Sequence, residues 1–136
     1  MLILPLTLDS SAFGSIIPID LGKRELEFPV DVTIETLAQH TIVHVNGEVD
    51  LANAPELDLV LAETVATKPV AIVVDLSTVT FMDSTGLGVL VRTFKRCQES
   101  GIRLDLIVTN ERVLKVLAIT GLDTVLPIHS SIESIS

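Results

Sequence analysis

The chain has 136 residues, enough for one domain with a real core once its weakly patterned N-terminal part is set aside. Apolar residues make up 48% of it and aromatics 3%, so Val, Ile, Leu and Ala must build the core, a composition that suits strands alternating with helices. Eighteen acidic against nine basic residues leave a formal charge of -9, which repels a phosphate backbone and argues against direct nucleic-acid binding.

Residues 1–30 mix short apolar runs with Pro5, Gly14, Pro18 and Pro29 and show no sustained periodicity. An N-terminal extension, in part disordered, is expected there, ahead of a single domain over residues 31–136. The opening MLILPLTLDSSAFG has no basic flank, and Pro5 and Asp9 break its apolar run well short of a membrane span. Neither an export signal nor a membrane helix is expected from it.

From Val32, the runs VTIETLA and TIVHVNGEV, separated by Gln39 and His40, predict hairpin strands over 32–37 and 41–47. Asn53 followed by Glu56 resembles a capping box, with Pro55 in the first turn and Leu57, Val60 and Leu61 at helical spacing, which predicts a helix over 54–66. Lys68 and Pro69 close it. The continuous apolar run VAIVVDL, from Val70 to Leu76, predicts a central strand covered on both faces.

A second helix is predicted from Ser84, with Leu87, Leu90, Val91, Phe94 and Cys97 on one stripe and Arg92, Lys95, Arg96 and Glu99 off it. Gly101 should end it. RLDLIV, from Arg103 to Val108, predicts a further strand, and Asn110 caps a third helix carrying Val113, Leu114, Val116 and Leu117, with Gly121 as its stop. A last strand is expected over 125–128. The order predicts an α/β domain, a mixed β-sheet with helices packed chiefly on one face.

The most informative stretch runs from Thr80 to Gly88, TFMDSTGLG, where a buried strand ends and an amphipathic helix begins. Open sheets carry functional groups at such carboxyl ends. Asp83 or Ser84 can cap the helix, and Gly86 and Gly88 are expected to keep its start open to the approach of a partner. The two glycines also fit tight packing of the helix against the sheet, and pattern alone leaves plain capping as an equal reading. A phosphate on Ser84 would bring about -1.5 to -2 charges to the positive end of a helix dipole, which the fold tolerates and a docked partner does not.

At these residues the chain resembles the STAS family of bacterial anti-sigma factor antagonists, through DSTGLG from Asp83 to Gly88 and GEVDLANAPEL from Gly47 to Leu57, in family order and spacing. The resemblance implies a STAS-like fold from about Val32 to the C-terminus. It implies an unmodified antagonist that binds an ATP-binding anti-sigma factor serine kinase, frees a sigma factor, and is released when Ser84 is phosphorylated, with Thr85 as the weaker acceptor. A protein serine phosphatase would reset the cycle. The implied partner-binding surface comprises Glu48, Asp50 and Asn53 with Asp83, Ser84, Thr85, Gly86, Leu87 and Gly88, although turn and cap chemistry also accounts for Asn53. The extension departs from the family pattern, and SSIESIS covers only the start of the family's closing helix. A scaffold module without turnover at Ser84 is the alternative reading.

Other signals point away from catalysis. DSTGLG is neither a G-x-S-x-G elbow nor a phosphate-binding G-x-x-x-x-G-K-[ST] loop, and His40, His44 and His129 are the only imidazoles, so no enzymatic activity and no bound nucleotide or other cofactor are expected. His40 and His44 lie about 13 Å apart along a strand, too far to share a metal, so no metal site is expected. Cys97 reads as a small core hydrophobe, and a lone thiol fits a reducing cytoplasm. Arg92, Lys95 and Arg96 form a basic face, solvated and paired with Glu99 or turned towards acidic groups of a kinase.

Overall fold

The computed structural model describes residues 31–38 and 40–135. The extension expected over residues 1–30 lies outside them. The first two strands, β1 (Asp31–Leu37) and β2 (His40–Val49), form the predicted antiparallel hairpin, with Val32 opposite Val45 and Ile34 opposite Val43. There follow α1 (Ala54–Ala66), β3 (Ala71–Met82), α2 (Ser84–Ser100), β4 (Arg103–Ile107), α3 (Glu111–Thr120) and β5 (Ile128–His129). The strands make one five-stranded sheet in sequence order, antiparallel only between β1 and β2.

β3 runs to Met82, six residues past the predicted end at Leu76, and β2 continues to Val49. Ser77, Thr78 and Thr80 look like the end of a strand because they are polar, yet the strand continues through them. Asn46 pairs with Thr78 and Val49 with Met82, across irregularities at His44/Asn46 and Gly47/Glu48. Gly47 takes φ 102°, a backbone that L side chains resist, and so supplies the bend. The Thr78 hydroxyl also donates to the Val45 carbonyl at 3.1 Å.

The core lies between one sheet face and all three helices. Val43, Val45, Ile72, Val74, Leu76 and Leu106 from the strands meet Leu57 and Leu61 of α1, Leu90 of α2 and Leu117 of α3. Each such side chain contributes about 1.5–3 kcal/mol through burial. The predicted stripe on α2 is shifted: Val89 and Thr93 are buried where Val91 and Phe94 were expected, and the Thr93 hydroxyl donates to the Val89 carbonyl at 2.8 Å. That internal bond is what lets a threonine occupy a core position. On α3, Val113 and Leu117 are buried while Leu114 is 37% exposed.

Among the described residues the opposite face carries only a small cluster, Ile42, Val73 and Ile107, with Ile135 against it. Helices on one side of a mixed sheet are the architecture expected. The chain's end differs from expectation. After Gly121 a 3-10 turn, Leu122–Thr124, holds Val125 and Leu126 by bonds to the Leu122 carbonyl, so the last strand is only Ile128–His129 rather than 125–128. A second 3-10 turn, Ile132–Ser134, stands where a closing helix would start.

Candidate functional site at the β3–α2 junction

β3 delivers Asp83 in an extended conformation, φ -98° and ψ -171°, immediately before α2. Its carboxylate accepts hydrogen bonds from the backbone N–H groups of Thr85 at 3.0 Å and Gly86 at 3.4 Å, and from the Thr85 hydroxyl. Burial favours the neutral acid, but these bonds and one from the Leu51 N–H outweigh it and hold the Asp83 carboxyl below its ordinary value. Of the two capping candidates, Asp83 is therefore the cap.

Ser84 is thereby left as the first residue of the helix, exposed, with no hydrogen-bond partner for its hydroxyl among the described residues. Thr85 is half-buried and its hydroxyl is committed to Asp83. The two adjacent hydroxyls are thus inequivalent, Ser84 exposed and unbonded, Thr85 held by Asp83.

The two glycines divide the readings between them, Gly86 serving tight packing and Gly88 an open surface. Gly86 is buried and faces inward, where a Cβ would lie 2.6 Å from Met82 Cγ and 2.9 Å from Val49 Cγ1. It lets α2 settle on the sheet. Gly88 faces the surface, where a Cβ would meet only Arg92 Nη1 at 3.4 Å. Leu87 is buried in the core.

The capping box expected from Asn53 and Glu56 is not made by Asn53, whose side chain caps no N–H of α1. Asn53 is instead fully buried and braces the preceding loop. Its Oδ1 accepts from the Asp50 N–H at 2.9 Å, and its Nδ2 donates to the Glu48 carbonyl at 2.8 Å. Asp50 Oδ1 accepts from the N–H groups of Ala52 at 3.0 Å and Asn53 at 3.3 Å. Glu48 is exposed, Asp50 half-buried. The Asp83 N–H donates to the Val49 carbonyl at 3.2 Å, so the two motif segments are joined into one surface.

Between them lies an open groove of about 360 Å³ lined by Leu51, Pro55, Asp58, Ser84, Gly88 and Arg92 among others. Leu51 is 72% exposed and Phe81, nearby at the end of β3, 43%. Such exposed apolar side chains beside a polar rim suit a protein partner. Sequence reasoning passed over Leu51 and Asp58, and placed Arg92 on a basic face without its Asp58 partner. The signal for Leu51 was an apolar residue inside a turn of otherwise polar and small residues.

Arg92 and Arg96 pair across to Asp58 of α1 rather than with Glu99. Arg96 holds both Asp58 oxygens, at 2.9 and 3.4 Å, and Arg92 Nε reaches Oδ1 at 3.5 Å. The Arg96 hydrogen bond, more than the opposing burial, keeps the Asp58 carboxyl below its ordinary value. No histidine lines the groove. His44 lies on the sheet face opposite α1, α2 and α3, between Asp75 at 2.9 Å and Glu35 at 3.1 Å, and His129 binds Asp105 at 2.8 Å. Cys97 is buried, which pushes its thiol up, away from the reactive thiolate. Among the described residues no helix is long and apolar enough to cross a membrane.

A family model described as the STAS domain matches residues 31–135. The chain belongs to the STAS domain family. An anti-sigma-B factor antagonist of Staphylococcus aureus is 33% identical over 106 residues, 76% of this chain and 98% of that protein. An anti-sigma factor antagonist of Mycobacterium paratuberculosis shares the fold with a TM-score of 0.72 and 28% identity, over 76% of this chain and 88% of that one. SpoIIAA, solved unphosphorylated and phosphorylated, superposes with TM-scores of 0.66 and 0.60 at 19% and 18% identity, over 77% of this chain in both and over 93% and 96% of its own, and shows the same fold. STAS anti-sigma factor antagonists are regulatory binding proteins, not enzymes.

Proposed function

We propose that this STAS protein is an anti-sigma factor antagonist that works in the cytoplasm. In its unmodified form it binds an anti-sigma factor that is also a serine kinase and so frees a sigma factor. The kinase switches it off by moving the γ-phosphoryl group of ATP onto Ser84 Oγ. The bond from the γ-phosphorus to ADP breaks, the new P–O bond forms, and the serine proton leaves to a base on the kinase. A protein serine phosphatase hydrolyses the ester and resets the cycle.

The observation that carries this reading is the exposed, unbonded hydroxyl of Ser84 beside a Thr85 hydroxyl held by Asp83. In this reading Glu48, Asp50, Leu51, Ser84, Thr85 and Gly88 face the kinase, while Asn53, Asp83, Gly86 and Leu87 shape the surface from beneath. A phosphate places about -1.5 to -2 charges on that surface, which a docked partner must desolvate. A loss of about 2.7 kcal/mol is already about a hundredfold in affinity.

The test is intact-mass measurement after incubation with the cognate kinase and Mg-ATP. One added phosphate on wild type and on Thr85→Ala, and none on Ser84→Ala, is the expected pattern. A kinase that binds the chain but leaves Ser84 unmodified would favour a scaffold module, and phosphate retained by Ser84→Ala would move the acceptor elsewhere.

A further inference from the structure

We propose that Arg92 is the receiver of the Ser84 phosphate, leaving Asp58 when the serine is modified and closing over the groove. The inference rests on the reading of Ser84 as the phosphoacceptor.

The geometry is that of one helix face. Residues 84, 88 and 92 follow at four-residue spacing, and helical side chains lean towards the N-terminus. Arg92 already reaches back one full turn, its Nη1 lying 3.4 Å from the place a Gly88 Cβ would take. One further turn, a rise of about 5.4 Å, separates that point from Ser84. The absent side chain at Gly88 leaves the lane between them open, and Ser84, Gly88 and Arg92 line the same groove.

Arg92 is also the cation most easily released. Its Nε sits at 3.5 Å from Asp58, its side chain is 53% exposed, and Arg96 remains on both Asp58 oxygens if it leaves. An exposed, poorly aligned pair of this kind contributes little, whereas an arginine on a phosphate dianion gains two parallel charge-assisted bonds. The exchange leaves the α1–α2 contact intact through Arg96.

The test separates this claim from the one it rests on by installing phosphoserine at position 84 of the full chain by codon suppression, without a kinase. Phosphorus NMR then follows the second ionisation of the phosphate. It should titrate roughly half a unit lower in wild type than in Arg92→Gln, about threefold in proton affinity, with Lys115→Gln on α3 unchanged and Gly88→Leu, which blocks the lane, resembling Arg92→Gln. Equal values in wild type and Arg92→Gln, or an equal rise with Lys115→Gln, would overturn the pairing. A kinase that ignores Ser84 would instead remove the premise and leave the measured pairing standing.

Discussion

Gly86 and Gly88 stand two residues apart in one motif and face opposite ways. A methyl group at Gly86 would need Met82 or Val49 to move, so Gly86→Ala is expected to destabilise by about 1–3 kcal/mol despite its better helix propensity. Gly88→Ala meets only the flexible end of Arg92 and should stabilise by up to about 1 kcal/mol. Urea unfolding of the two variants reads the difference directly. Asn53→Ala strips the Asp50 N–H and the Glu48 carbonyl of their buried partner, a cost of about 1–3 kcal/mol, and hydrogen exchange should rise across residues 48–52 while the α3 amides hold. The sequence placed Asp83, Ser84 and the glycines at one junction because strand end and helix start are written in periodicity. It did not say which glycine faces inward or what Asn53 bonds, since both depend on contacts between segments far apart in the chain.

His44 ties three strands together on the sheet face opposite α1, α2 and α3, bonding Glu35 of β1 and Asp75 of β3 from its place in β2. Burial disfavours its charged form, but the hydrogen bonds and charges of the two carboxylates outweigh that and raise it above its ordinary 6.5. A raised native value means that this stabilisation is complete below about 6.5 and is lost as pH rises through the native value. The urea midpoint should therefore fall between pH 6 and pH 8 in wild type and stay flat over that range in His44→Gln; because the ring is partly exposed, the difference should be below about 1 kcal/mol. Equal slopes in both proteins would contradict the assignment. The hairpin, three helices and β3 were legible from period and length. The polar second half of β3 was not, because it is held extended by the pairing of Thr78, Val79, Phe81 and Met82 with Asn46–Val49 across irregularities beside Gly47.

The described residues make two unequal faces of one sheet. Leu61→Ala, in the fully buried core under α1, is expected to cost about 2–5 kcal/mol. Ile135→Ala, on the half-open cluster of Ile42, Val73 and Ile107, should cost about 1 kcal/mol, and the pair of unfolding curves measures the asymmetry. One-sided helix packing followed from a hairpin leading into alternating helices and strands, whereas the short last strand did not, because the 3-10 turn after Gly121 takes up the residues that looked extended. The groove opens at the edge of the helical layer, where β2 and β3 deliver both motif segments together. The most direct test of the account is calorimetric titration of the cognate anti-sigma factor with the full chain, unmodified and carrying phosphoserine at position 84. The account predicts tight binding of the first and an affinity lower by about a hundredfold or more for the second. Equal affinities would contradict it.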